Sequence, residues 1–366
     1  MAIKIITGKL SNLTTAKQNA LDFEYNNLQS FLQNYKNAQE FGDVEYFLEK
    51  DKTKLYSATK QQALRFYKIK KIKEYPLDIR NDLLKIKRTD NKISKYWVRL
   101  PVSKKRGGIW CAFKTYTEIP KDVKLCGSKL VKNKGKYFLH ITIKKDIILN
   151  SFDNILAVDL GEKHIATTVL QGKNVSMNPK FYGKKVRGLR RHYAWLRKRL
   201  GNKKLLKEIK RIEHTEQRKV NDILHKISKD IVQQAEENNA CIVLGNLKGI
   251  RKSAKGKGRR MNRIVTNMPY HKLTQYILYK AEWKGIQVKQ ISEKDTSKTC
   301  HKCGQIGNRR TQGLFVCDCG LHYNADLNGA LNIGKRFSDY MLENGAVSEP
   351  AQNHASSVEA TQLVGW

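Results

Sequence analysis

The sequence predicts a multidomain α+β protein with an anionic partner, and three observations carry that expectation. Lys and Arg number 71 against 33 Asp and Glu, a formal charge of +38. The hydrophobic pattern changes texture along the chain, from helical spacing to short β-branched runs and then to strands alternating with long helices. Four of the seven cysteines fall in two close pairs, Cys300/Cys303 and Cys317/Cys319. At 366 residues, 40% of them apolar, two or three cores can form. No apolar run is long enough to span a bilayer. "MAIKIITGKL" lacks the apolar centre and small-residue cleavage site of a signal peptide. A cytoplasmic protein acting at the nucleoid is expected. Self-repulsion at this charge destabilises a compact state, and a polyanion with phosphates along an extended track relieves it. Nucleic acid is therefore expected ahead of a membrane surface.

The first strand, residues 1–10, is followed by "TT" at Thr14 and Thr15, a helix cap. Leu21, Tyr25, Leu28, Leu32 and Tyr35 then recur at helical spacing. Residues 11–84 are expected to form a helical lobe, its helical character running to about Ile72. "KYWVRLPV", "GGIWCAFKTY" and "KYFLHITI" are β-branched and aromatic runs separated by Gly, Pro and Lys. They predict a small antiparallel β-domain over 85–147 that the first strand joins, with the helical block inserted.

From residue 148 a third region begins. "ILAVDLG" is a buried strand and "HIATTVL" its hairpin partner across "GEK"; residues 180–238 form long helices. Between Lys180 and Lys219 there are sixteen Lys or Arg against three Glu, with Tyr182, Tyr193 and Trp195 interleaved. A short charge run would be a solvated face. This excess points to a groove for phosphates, with Arg187, Arg190, Arg191, Arg197 and Lys198 as candidate contacts. "CIVLGNL" is the next strand. The loop "KGIRKSAKGKGRRMNR" has eight basic residues and no acid, and is expected to be a flexible nucleic-acid-contacting arm that includes Arg251, Arg259 and Arg260. "HKLTQYILYKAEWKG" is a helix closed by Gly285, followed by the strand "IQVKQIS". Past Phe337 no Lys or Arg occurs, and residues 337–366 are expected to be a flexible tail.

The pairs Cys300-x2-Cys303 and Cys317-x-Cys319, each on a turn followed by Gly304 or Gly320, suit one tetrahedral Zn2+ in a closed, structural site. The odd cysteine total argues against a disulfide framework and for a reducing compartment. Asp159 ends a strand in "AVDLG", and Asp326 opens a helix in "YNADLNGALNI". Taken singly, either is an ordinary turn or cap residue.

"LAVDLGEKHIATTV", "IVLGNLKGIR", "EKDTSKTCHKCG" and "CDCGLHYNADLNGALNI" occur in the order seen in the TnpB family, transposon-encoded RNA-guided nucleases related to type V CRISPR effectors and Fanzor. The chain resembles that family over roughly residues 80–336, most specifically from Thr296 to Gly304. The resemblance implies an RNase H-like RuvC nuclease domain (148–292 and 323–336) with an inserted zinc knuckle (293–322), a wedge β-barrel (1–10 and 85–147) and a helical recognition lobe (11–84). It implies two Mg2+ (or Mn2+) ions on three carboxylates, one structural Zn2+, a guide RNA from the transposon end, and double-stranded target DNA with a short adjacent motif. Asp159 matches the first carboxylate and Asp326 the third, while the usual second position is Gly245. Either the nuclease is inactive, a guide-dependent repressor, or Glu293, at the end of the neighbouring strand, supplies the acid; the second alternative is favoured. An Arg often precedes the third Asp, and here that residue is Ala325. A transposase lacks any Tyr or Ser recombinase arrangement to support it, and a basic RNA-binding scaffold leaves the carboxylates without a role.

Overall fold

In a computed structural model the chain divides into two units, Met1–Asp146 and Ile147–Trp366. The structure describes all residues except 67–73, 90, 174, 248–257, 259–268, 312 and 344–366.

The first unit is built on an antiparallel sheet of eight strands: β1 (Ala2–Ser11), β2 (Leu77–Ile79), β3 (Lys85–Arg88), β4 (Tyr96–Val102), β5 (Lys105–Lys114), β6 (Lys124–Leu125), β7 (Ser128–Asn133) and β8 (Lys136–Lys145). Their order is β2-β7-β8-β1-β5-β4-β3, with β6 also on β8. The first strand does join the later ones, pairing through Ala2–Lys9 with β8 and through Lys9–Ser11 with β5. Alternate residues make the core: Ile6 and Leu10, Val98 and Leu100, Leu139, Ile141 and Ile143. Among the described residues β2 and β3 stay at the ends of the path, so the expected barrel is a sheet whose edges do not pair with each other.

Between β1 and β2 lie α1 (Thr15–Phe41), α2 (Val44–Lys50) and α3 (Ser57–Phe66). Thr14 caps α1, its side chain accepting from the Lys17 amide, and Leu21, Tyr25, Leu28 and Leu32 are buried as their spacing requires. The helical block ends before Lys85, where the sequence placed its boundary. Leu77–Ile79 is already a strand, because Leu77 and Ile79 are buried on either side of Asp78 and pair with β7.

The second unit carries a five-stranded sheet of order β11-β10-β9-β12-β13, from β9 (Asn154–Asp159), β10 (Ala166–Gln171), β11 (Lys180–Tyr182), β12 (Ala240–Asn246) and β13 (Val288–Ser292). β9, β12 and β13 are parallel, and β10 and β11 fold back antiparallel. Each central strand is apolar almost throughout because both its faces are covered. Leu156, Val158, Ile242 and Leu244 pack with α4 (Lys184–Asn202), α5 (Leu206–Glu237) and α6 (Tyr270–Lys284). Ala157, Cys241 and Val243 face α7 (Ala325–Glu343) through Leu327, Ala330, Leu331 and Phe337. Helix α7 corrects the expected flexible tail: Phe337 is 1% exposed and the helix continues to Glu343. Ile333, Phe337 and Met341 fall four residues apart and keep one apolar stripe on the sheet. Residues 344–366 lie outside the described part, as does nearly all of the basic loop.

Among the described residues no helix is long and apolar enough to cross a membrane.

Candidate carboxylate and metal site

Three parallel strands ending together present their last residues at one edge, the usual place for ligands in such sheets. Asp159 is the final residue of β9, and Glu293 follows β13 directly. Between them stands β12, whose Gly245 pairs with Ile291 of β13. Helix α7 packs beside β9 and opens with Asp326, 3% exposed. Asn324 fixes that helix start, its side-chain oxygen accepting from the amides of Asp326 and Leu327 at 3.0 and 3.1 Å.

Gly245 explains how Glu293 reaches the edge. A Cβ placed on Gly245 would overlap Oε1, Cγ and Cδ of Glu293. The glutamate side chain therefore occupies the space that a side chain on Gly245 would enter. Glycine makes the same kind of room at Gly329, one turn into α7, where a Cβ would meet the Asp159 carboxyl group at 3.3 Å.

Burial first, and then the charge of Asp326, push the Asp159 carboxyl up to about 7, while the Arg309 guanidinium and the Leu160 amide pull the other way. Burial and then the charge of Asp159 push Glu293 up to about 8. Oε1 of Glu293 is buried with no hydrogen-bond partner. The Tyr270 hydroxyl, at the start of α6, is raised by burial and then by the charges of Asp159, Glu162, Glu293 and Asp326, which places it in their common field.

Asp326 is held from both oxygens. His164 Nδ1 donates to Oδ2 at 2.9 Å, and Arg309 Nη2 donates to Oδ1 at 2.9 Å. Nothing in the sequence marks His164, Arg309 or Tyr270 as part of this site. Arg309 sits in the thirteen residues between the cysteine pairs, where no spacing separates it from Arg310. Ala325, the departure noted before the third Asp, is 1% exposed and packs with Phe315, Cys300 and Cys317, so the guanidinium at Asp326 comes from Arg309 instead.

Excess negative charge, oxygen-only donors and an orphaned carboxylate oxygen fit a hard divalent cation such as Mg2+ or Mn2+. Among the described residues, the ligand atoms of three or more His, Cys, Asp or Glu come within 4.8 Å of one another in one group alone, the cysteines.

The cysteines are Cys300, Cys303, Cys317 and Cys319. Sulfur separations of 3.7 Å (Cys300–Cys319) and 3.5 Å (Cys303–Cys317) exclude disulfides and match the edge of a tetrahedron of about 3.8 Å around Zn2+. Two tight turns, β14 (Leu314–Val316) and β15 (His322–Asn324) carry them around the fully buried Phe315. Asn328 and Asn332 of α7 donate to the carbonyls of Thr296 and Thr299, tying the knuckle to the helix that bears Asp326.

The candidate phosphate contacts divide. Glu216 is 6% exposed and pairs with both Arg190 and Arg197, and Glu162 pairs with Arg187 at 3.1 Å. Arg191 and Lys198 are exposed. Arg251, Arg259 and Arg260 lie outside the described residues.

Residues 270–333 match the Cas12f1-like, TNB domain family. The chain is 30% identical to the TnpB-like protein MJ0751 of Methanocaldococcus jannaschii over 207 residues, 54% of this chain and 74% of that protein. It is 40% identical over 113 residues to the CRISPR-associated endodeoxyribonuclease Cas12f1 of Sulfoacidibacillus thermotolerans, 30% of this chain and 25% of that one. A solved Cas12f1–sgRNA–target DNA complex aligns over 91% of this chain and 99% of its own with 16% identity and a TM-score of 0.41.

Proposed function

This chain belongs to the TnpB family, and on that premise we propose that it is a transposon-encoded, RNA-guided DNA endonuclease that hydrolyses phosphodiesters at Asp159, Glu293 and Asp326. In this reading the five-stranded layer with α4–α7 is an RNase H-like RuvC domain, the eight-stranded sheet a wedge domain, α1–α3 a recognition lobe, and the cysteine knuckle an inserted zinc module. The observation that carries it is Glu293 filling the space beside Gly245 and feeling the charge of Asp159, which in turn feels that of Asp326. A chain that had merely lost its second acid has no reason to aim another into the same volume.

Asp159, Glu293 and Asp326 would hold Mg2+ or Mn2+, which supplies water activation and charge stabilisation at phosphorus. Arg309 and His164 fix the plane of the Asp326 carboxylate by gripping one oxygen each. Tyr270 stays protonated at neutral pH and is available as a hydrogen-bond donor beside the carboxylates. Guide RNA and double-stranded target DNA bearing a short adjacent motif are the partners, and the charge of +38 supports both.

The test is cleavage by the protein with guide RNA, target DNA and Mg2+. Glu293→Gln, Asp159→Asn and Asp326→Asn should each abolish cutting and leave target binding intact, since members of one site fail together. Full activity in Glu293→Gln beside a dead Asp159→Asn would move the second acid elsewhere. A wild-type complex that binds its target and never cuts would make the protein a guide-dependent repressor.

A further inference from the structure

We propose that the outward face of α4 is a stacking platform for an unpaired RNA base, centred on Trp195; that the RNA is the guide rests on the function proposed above. Helix α4 has two faces at helical spacing. Val186, Arg190, Tyr193 and Arg197 form the inner stripe: Val186 and Tyr193 are buried, and the two arginines meet the buried Glu216. The opposite stripe is Lys184, Lys185, Arg191, His192, Trp195, Lys198 and Arg199, all exposed, and α4 contains no acidic residue.

In the middle of these cations Trp195 is 50% exposed. Two neighbours on its own helix touch the ring. His192, three residues before, stacks at 6.1 Å between centroids and 30° between planes. The Arg199 guanidinium, four residues after, lies 4.9 Å from the indole centroid. These contacts restrict the indole's rotamers and leave half its area to water. Such preordered apolar area among cations fits a ligand with a flat π-face and phosphates on either side. A protein or lipid surface would need apolar neighbours around the indole, and this face has none. Bases in a duplex are already stacked, whereas the loops and tails of folded RNA present unpaired ones.

The probes are a labelled RNA stem–loop with an unpaired adenosine tail, the same stem–loop with its tail base-paired, and single-stranded DNA of the tail sequence, each titrated with full-length protein. Trp195→Ala should weaken binding of the tailed RNA about 5- to 100-fold. Trp195→Phe should keep most of the affinity, and the paired-tail probe should change little. The salt slope should stay as in the wild type, because stacking releases no counterions. Wild-type affinity in Trp195→Ala would overturn the proposal. So would equal losses on paired and unpaired tails, a Phe variant as weak as Ala, or a loss confined to the DNA probe. The assay reads binding without cleavage, so an inactive nuclease site leaves its outcome unaffected.

Discussion

Gly245→Ala adds one methyl group and should silence the proposed nuclease. Its backbone does not lie in the left-handed region, so Ala is conformationally acceptable there. By itself the substitution would stabilise the chain by about 0.4–1 kcal/mol through the unfolded state. The added Cβ, however, would overlap the carboxyl group of Glu293, and ordinary contact begins at 3.4 Å. Glu293 must therefore retreat on the order of 1 Å or rotate out, a displacement at which catalytic groups lose about 100-fold in rate. Initial rates of target cleavage at saturating guide RNA and Mg2+ measure the loss, with target binding as the control. The two positions should also couple. In a Glu293→Ala background, Gly245→Ala should cost no further activity and should raise stability, a non-additivity expected of groups sharing one volume. Gly245→Glu combined with Glu293→Ala should recover part of the activity by placing a carboxylate in that volume from the other strand. A Gly245→Ala protein that cuts at the wild-type rate would refute the steric argument and with it the role of Glu293.

Four further outcomes follow from the structure. Asp159 and Glu293 titrate near 7 and 8 in the fold and near about 4 when unfolded. Without divalent metal, the stability they contribute is fully present below about pH 4 and is lost as pH rises through about 8; thermal melts should show Mg2+ stabilising the protein more at pH 8 than at pH 5, with Glu293→Gln flattening the difference. Elemental analysis should find one Zn2+ per chain, and Cys303→Ser should lower both zinc content and melting temperature, since the metal contributes directly to folding of the knuckle; a folded, zinc-free wild type would contradict this. Gln at Arg191 or Lys198 should lower the salt slope of RNA binding by about 1 each. Gln at both Arg190 and Arg197 should instead cost about 3 kcal/mol of stability by leaving buried Glu216 unpaired, and unchanged melting would show that Glu216 needs neither arginine.

Several parts of this protein are legible from sequence alone because their physics is local. Thr14 caps the first helix, the stripe from Leu21 to Leu32 is buried, and "ILAVD" and "CIVL" are strands covered on both faces. The cysteine spacing alone predicts four sulfurs in reach of one ion, and they do converge. Charge is also a property of composition: the self-repulsion of a chain at +38 is relieved by an anionic partner whatever its fold.

Long-range pairing decides the rest. Asp159 and Glu293 are separated by more than a hundred residues of chain and meet only because β9, β12 and β13 run parallel in register, and Asp326 joins them because α7 packs on that sheet. Whether Glu293 could replace an acid at Gly245 is a question of shared volume, which two positions on neighbouring strands cannot reveal without coordinates. Arg309 and Arg310 are equivalent as letters, and the knuckle's turns select the first for Asp326. The basic helices make the same point in reverse. Sixteen cations look alike along the chain, yet a single buried Glu216 takes up Arg190 and Arg197, because α4 turns that face onto α5 and its opposite face, with Trp195, toward solvent. Helical periodicity separates two faces but does not say which is covered; that depends on the partner helix, and only the folded chain supplies it.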